Sequence, residues 1–333
     1  MPEGFTTALL AVFGLAVLFD YINGFHDTAN AIATSVSTRA LKPQWAIAMS
    51  ATANFVGALT GTAVAKTIGA GLITPQTESG AVVAAALVGA IAWNLFTWRF
   101  GIPSSSSHAL IGGLLGASAA AIGFDAWKLE GIRDKVIVPL VGSPIAGFVI
   151  GFALMVVIFN LFRRAHPKTM NDRFRRLQVL SAAYMAFSHG SNDAQKTMGV
   201  MTLALVSAGV LPEFKVPLWV IILAASAISL GTAAGGWRII RTMGTKVVKL
   251  DPVHGFAAET TAATIIFGAS TLGMPVSTTH VISSAILGVG SSDRFNAVHW
   301  GVARRIGVAW VLTLPASGLV AALAYLVLKP ILP

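Results

Sequence analysis

Asn23-Gly24-Phe25-His26-Asp27-Thr28-Ala29-Asn30 returns, altered, as His189-Gly190-Ser191-Asn192-Asp193-Ala194-Gln195-Lys196. Aligning Gly24 with Gly190 also aligns Asp27 with Asp193, so each copy places a glycine three residues before a carboxylate within otherwise apolar sequence. Two copies of one short polar string imply a single site built from two halves. The sequence around them sets what kind of site that is.

Of 333 residues, 55% are hydrophobic and 11% charged, and 33 are glycine. That composition is too apolar and too rich in glycine for a soluble domain, and it marks a polytopic membrane protein. The N-terminus lacks the basic stretch of a cleavable signal, so the apolar run from Phe5 to Ile22 is expected to be a retained first span. The absence of cysteine excludes disulfides, thiolate metal sites and thiol nucleophiles. A net charge of +10 would suit nucleic acid, but the basic residues fall in short loops between apolar runs. The positive-inside rule accounts for them, and no nucleic-acid partner is expected.

Apolar runs long enough to cross about 30 Å of hydrocarbon lie near 5–22, 44–65, 79–98, 103–123 and 136–162. A second series lies near 177–209, interrupted by the motif, and near 217–237, 255–272, 275–290 and 306–328. The expected organisation is a first transmembrane repeat over 1–162, a basic cytoplasmic linker over 163–176, and a second repeat over 177–333. Threading ten spans outward from that linker puts both termini outside. An odd number of spans per half makes the halves inverted.

The repeat extends beyond the opening motif. Gly101-Ile102-Pro103-Ser104-Ser105-Ser106-Ser107-His108 matches Gly273-Met274-Pro275-Val276-Ser277-Thr278-Thr279-His280, and Pro144 with Gly147 matches Pro315 with Gly318. Trp45, Gly57 and Gly61 find Trp219, Gly231 and Gly235 in the same order. Inverted repeats with broken helices at corresponding places are the signature of secondary transporters, whose site lies near the midplane at the repeat interface.

A carboxylate in an apolar span costs several kcal/mol unless something offsets it. One reading makes Asp27 and Asp193 caps of a structural helix break. The other makes them cation half-sites: Asp27 with Asn23 and Asn30, and Asp193 with Asn192 and Gln195, all hard oxygen donors. On that reading, carbonyls exposed by breaks at the motif complete the coordination. The second motif pair points to an anion. Proline followed by Ser104, Ser105, Ser106 and Ser107, or by Ser277, Thr278 and Thr279, reads as a helix start with hydroxyl caps, free N–H groups and a positive dipole end. Two such starts facing each other hold a tetrahedral oxyanion, with Lys196 adding a charge. A carboxylate and an oxyanion roughly 4 Å apart repel by about 4 kcal/mol at an effective dielectric near 20, and a cation between them reverses the sign. Symport follows. His26 and Glu259 are the candidates for proton relay, and glycine spacings such as Gly57-x-x-x-Gly61 read as helix packing.

At these residues the chain resembles the inorganic phosphate transporter family, whose duplicated signature looks like G-x-N-D-x-x-N. The strings Ile22 to Asn30 and Ser188 to Lys196 are most similar to those of bacterial low-affinity phosphate permeases. The resemblance covers both halves. It implies an all-α polytopic inner-membrane protein with inverted repeats, paired re-entrant hairpins and a homodimeric assembly in lipid. It implies symport of inorganic phosphate with H+ or Na+, and transport of phosphate as a complex with Mg2+. Asp27, Asn30, Asn192 and Asp193 would then hold the coupling ion or metal, with the hydroxyl clusters and Gln195-Lys196 on phosphate. Two departures stand out: His26 replaces the signature Asn in the first copy, and Gln195-Lys196 replace Ala-Asn in the second. A sulfate permease of the same family is the alternative, although phosphate can donate a hydrogen bond to a carboxylate and sulfate at neutral pH cannot. A hydrolase is excluded, because Ser104 to Ser107 and His108 lack an orienting acid and no H-E-x-x-H motif occurs.

Overall fold

The computed structural model describes residues 7–74 and 79–332. Met1 to Thr6 and Pro333, and with them the expected placement of the two termini, lie outside the described residues. In chain order the helices are α1 (Thr7–Ser37), α2 (Pro43–Ala58), α3 (Ala63–Ala70), α4 (Gly80–Phe100), α5 (Ser106–Ile122), α6 (Leu129–Ile132) and α7 (Val138–Leu161). They continue as α8 (Pro167–Ser207), α9 (Leu218–Ala234), α10 (Trp237–Arg241), α11 (Pro252–Thr271), α12 (Thr278–Asp293) and α13 (Trp300–Leu328). α8 begins inside the basic segment, with Pro167 in its first turn.

One order of elements therefore runs twice: a long helix, a bent pair, a hairpin, and a closing helix with an internal proline, Pro144 or Pro315. The bent pairs are α2 with α3, at 72°, and α9 with the run Trp237–Lys246, at 61°. Four described helical runs are each long and apolar enough to cross a membrane: Ala8–Ser37, Gly80–Phe100, Leu129–Leu161 and Trp300–Leu328. The bent pairs raise that to six by length and composition, fewer than the ten simple crossings expected from the sequence, although each of the ten apolar runs is helical. The hairpins explain part of the difference. Pro103 and Pro275, just after the two turns, are buried. The turns share one backbone solution: Gly101 and Gly273 have φ of +65° and +68°. After Gly101 the next N–H, of Ile102, returns to Thr97 O at 2.9 Å, and after Gly273 that of Met274 returns to Ala269 O at 2.8 Å. This is a glycine-capped helix end of Schellman type.

The motifs do not break their helices, contrary to the sequence reading. Asn23 to Asn30 lie within α1 and His189 to Lys196 within α8, both uninterrupted. Thr28 and Gln195 bond back to the preceding turn, at Gly24 O and Ser191 O, while Asn30 and Lys196 reach across to the hydroxyls of Thr279 and Ser107, so the weak helix propensity of the polar residues is overridden by packing. The breaks fall in the second element of each half.

Each half packs on the other. α1 lies against α9 and α8 against α2, while α7 covers α12 and α13 covers α5 and α4. Glycines set the approach. A methyl group at Gly24 would strike the carbonyl of Ile228, one at Gly57 the carbonyl of Phe187, and one at Gly190 the backbone of Asn54. Gly147 abuts Val281 and Ala285 of α12, and Gly318 abuts Gly112 of α5. The outer faces of α7 and α13 present large exposed apolar side chains, among them Val141, Ile145, Val149, Val311, Leu319 and Leu326. These suit hydrocarbon.

Gly24→Ala should therefore destabilise the protein by about 1–3 kcal/mol. Gly14→Ala on the same helix, with nothing within 4 Å of the added methyl group, should be neutral or stabilise by ~1 kcal/mol. Thermal unfolding in detergent compares them, and an equal Tm for the two would remove the packing role of Gly24.

Candidate functional site

Asp20, Asn23, Asp27, Asn30 and Thr34 are spaced three and four residues apart on α1, so they form one polar stripe. All five are buried. α8 crosses that stripe antiparallel: Thr38 Oγ1 donates to Gln178 Oε1 at 2.7 Å, while farther back along α1 Asp27 meets Asp193. One ligand atom from each of Asp27, His189 and Asp193 lies within 4.8 Å of the other two, and all three residues are buried. The carboxylates that the sequence aligned are thus brought together in space.

Their surroundings differ. Asp27 Oδ1 is 2.6 Å from His26 Nδ1, whose other ring nitrogen is 3.0 Å from Thr97 Oγ1 at the end of α4. Ser104 donates to that Thr97 hydroxyl at 2.8 Å. Asp193 Oδ1 pairs with Lys196 Nζ, and its Oδ2 is 3.3 Å from His189 Nε2 and accepts from Thr278 Oγ1 at 3.4 Å. His189 is in turn aimed by Asn54, whose Oδ1 lies 3.0 Å from Nδ1 and whose Nδ2 donates to Thr232 at 2.8 Å.

The hydroxyl clusters sit where the sequence put them, at the starts of α5 and α12. Ser105 and Ser277 are the caps, accepting from His108 N and His280 N, each at 3.2 Å. The two starts meet: Ser107 Oγ donates to Val276 O at 3.3 Å, and the rings of His108 and His280 have centroids 4.6 Å apart. The motif helices tie into them reciprocally. Asn30 Nδ2 donates to Thr279 at 2.9 Å and Thr278 at 3.3 Å, and Lys196 Nζ donates to Ser107. Two positive helix ends therefore converge beside two carboxylates and an ammonium, a place that can hold an anion and a cation in contact.

Some predicted side chains keep polar atoms without a protein partner among the described residues: both amide atoms of Asn23, Oδ1 of Asn192 and the hydroxyl of Ser106, all buried. Buried polar atoms of this kind fit oxygen ligation of a hard cation or an oxyanion. Asn192 Nδ2 donates to Met274 O at 3.3 Å. Gln195 is turned away from the hydroxyl clusters. Its Oε1 accepts from Val64 N, at the start of α3, at 2.8 Å, and its Nε2 donates to Ser191 O at 2.6 Å. It caps the helix resumed after the first bend. Glu259 stands apart from Asp27, on α11, and accepts hydrogen bonds from Thr34, Ser181 and Gln178, the last at 3.2 Å. It bridges α1, α8 and α11.

Sequence reasoning missed Asn54, Thr97, Thr232, Gln178, Ser181 and Thr34. Each is a polar residue inside an apolar run, the one signal that could have flagged it, but only the fold shows what it touches.

Known proteins share this chain's sequence and fold. Residues 23–321 match the model of the phosphate transporter family. The chain is 52% identical over 328 residues to a probable low-affinity inorganic phosphate transporter of Bacillus subtilis, covering 98% of each. It is 50% identical over 319 residues to one of Rhizobium meliloti, covering 95% of each. A solved structure, of a protein named as the sodium-dependent phosphate transporter, superposes with a TM-score of 0.90 at 26% identity, over 98% of this chain and 100% of that one.

Gln195→Ala should lower stability by about 1–2 kcal/mol, because Val64 N loses its cap. A thermal melt reads it, and an unchanged Tm would remove the capping role.

Proposed function

The chain belongs to the phosphate transporter family, and from that premise we propose that it is a secondary active symporter bringing inorganic phosphate into the cell with a co-transported sodium ion or proton. The observation that carries this reading is the convergence of Asp27 and Asp193 with the opposed starts of α5 and α12 in one buried place. A phosphate held by the hydroxyls and N–H groups there meets carboxylates at close range, and the cation removes the repulsion. Neither ion binds well alone, so the two move together.

The family transports its substrate and is not one of enzymes. The relatives reported above are all named for phosphate, which favours it over sulfate, as does the hydrogen bond that protonated phosphate can donate to Asp27. Sodium is favoured by the structural neighbour, which is named as sodium-dependent. A proton is favoured by the chain of Asp27, His26, Thr97 and Ser104, in which each contact is within 3.0 Å. Glu259 would couple α1, α8 and α11 during the movement, and magnesium would enter as part of a metal–phosphate complex at Asp27, Asn30 and Asn192.

The antiparallel crossing of α1 and α8, equivalent elements of the two halves, supports inverted repeats, with rocking of one half on the other giving alternate access. The basic segment from Arg163 to Arg176 would face the cytoplasm and both termini the outside of an inner membrane. The exposed apolar faces of α7 and α13 would meet lipid or a second copy in a homodimer.

Labelled phosphate uptake into proteoliposomes tests the reading with an imposed proton gradient, a sodium gradient or neither, each with and without magnesium. Uptake above the gradient-free level under either cation gradient is expected, and none under any gradient would sink the proposal. Asp27→Asn and Asp193→Asn should each reduce uptake at least ~100-fold, the loss expected on removing about 3 kcal/mol of charge interaction, while the protein still elutes as a folded species. Near-normal uptake in both variants would make the motif structural.

A further inference from the structure

Among the differences between the two motif copies, one places a fixed charge at a matched position: the first carries Asn30 and the second Lys196. Both side chains do the same mechanical work, donating across the molecule to hydroxyls at the start of the other half's hairpin helix. What distinguishes them is charge. Lys196 is 1% exposed, a position in which an unpaired ammonium is strongly disfavoured. It is held by the ion pair with Asp193, by Ser107 and by Val276 O at 3.3 Å.

The two carboxylates are consequently not equivalent. Both oxygens of Asp193 are engaged, one by Lys196 and the other by the Thr278 hydroxyl, with His189 Nε2 3.3 Å from that second oxygen. Asp27 has only His26 on Oδ1, and its Oδ2 takes no hydrogen bond among the described residues. Asn30, in the place of Lys196, brings no charge to it.

We propose that Lys196 is a tethered counter-ion that permanently fills the Asp193 half of a duplicated cation site, leaving only the Asp27 half for a transported cation. The proposal rests on the cation-coupled phosphate reading above and adds its stoichiometry. With Lys196 present, the pair of carboxylates leaves one net negative charge to be balanced by cargo. With an amide at that position it leaves two. Asp20, His26, His108 and His189 also lie in or near the site, and Glu259 is buried against Thr34, farther along α1, but they are common to both cases and do not alter the difference. A chain with the ammonium therefore moves one cation fewer per phosphate than the same chain without it, and phosphate keeps a permanent positive partner even when no cation has bound.

The test compares the wild type with Lys196→Asn, which makes the two copies alike at this position. In proteoliposomes the ratio of cation to phosphate moved is read from labelled sodium, a trapped pH dye and labelled phosphate. The variant is expected to carry about one cation more per phosphate, with a steeper dependence of uptake on the coupling cation. An unchanged ratio overturns the proposal. Should the variant bind without transporting, its melting temperature in detergent is followed against sodium chloride, with choline chloride as control, and against pH. A larger cation-dependent rise than in the wild type supports the tethered ion, and an equal rise overturns it. Wild-type protein that takes up no phosphate under any gradient would instead remove the symport reading, and the melting series would still decide whether Lys196 fills a cation site.

Discussion

Two ionised carboxylates cannot stand side by side in an apolar interior without positive charge or a proton between them, and much of this structure serves that constraint. Asp27 and Asp193 meet where α1 and α8 cross. Around them lie an ammonium, two imidazoles and two helix starts whose dipoles point their positive ends inward. None of these groups is exposed to water, so their interactions are stronger than at a surface and the cost of an unmatched charge is higher. Under the proposed symport, a site in this condition would hold its cargo ions in matched sets.

Bringing the carboxylates together depends on helix backbones that come close. Gly24 lets α1 lie on α9 and Gly190 lets α8 lie on α2, so the glycine of each motif opens the path for the acid three residues later. The matched glycines of the second elements, Gly57 and Gly231, complete the same two contacts from the other side. Farther out, Gly147 and Gly318 seat α7 and α13 on the hairpins of the opposite halves. Small residues at such crossings replace the hydrophobic drive that lipid does not supply. The result is two halves interlocked by exchanged contacts, each contributing one acid and one hydroxyl cluster to a shared site.

The side chains that support the site also tie several elements to one another. Asn54 joins His189 to Thr232, linking α2, α8 and α9, and Gln195 fastens α3 to α8. Glu259 ties α11 to both motif helices. The helices bend by 72° after α2 and by 61° after α9, where glycine or threonine interrupts them.

The duplicated strings, the proline-hydroxyl starts and the apolar runs were all readable from the sequence, because helix caps, spans and repeats are written in neighbouring residues. Ser105 and Ser277 cap α5 and α12 as their positions required, and Asp27, Asn30, Asp193 and Lys196 were visible as polar residues where apolar ones are the rule. The expected break at the motif was wrong because local propensity favoured it while the partners that stabilise a straight helix lie far away in the chain. The same holds for the pairing of Lys196 with Ser107, of Asn30 with Thr279 and of Glu259 with Thr34, each of which joins residues more than 80 positions apart. The sequence by itself determined the membrane class, the two halves and the candidate residues, since these follow from composition and short-range pattern. Only the tertiary structure decided that the two acids share one site and that one of them already holds a lysine, since burial and charge pairing depend on which distant helices touch.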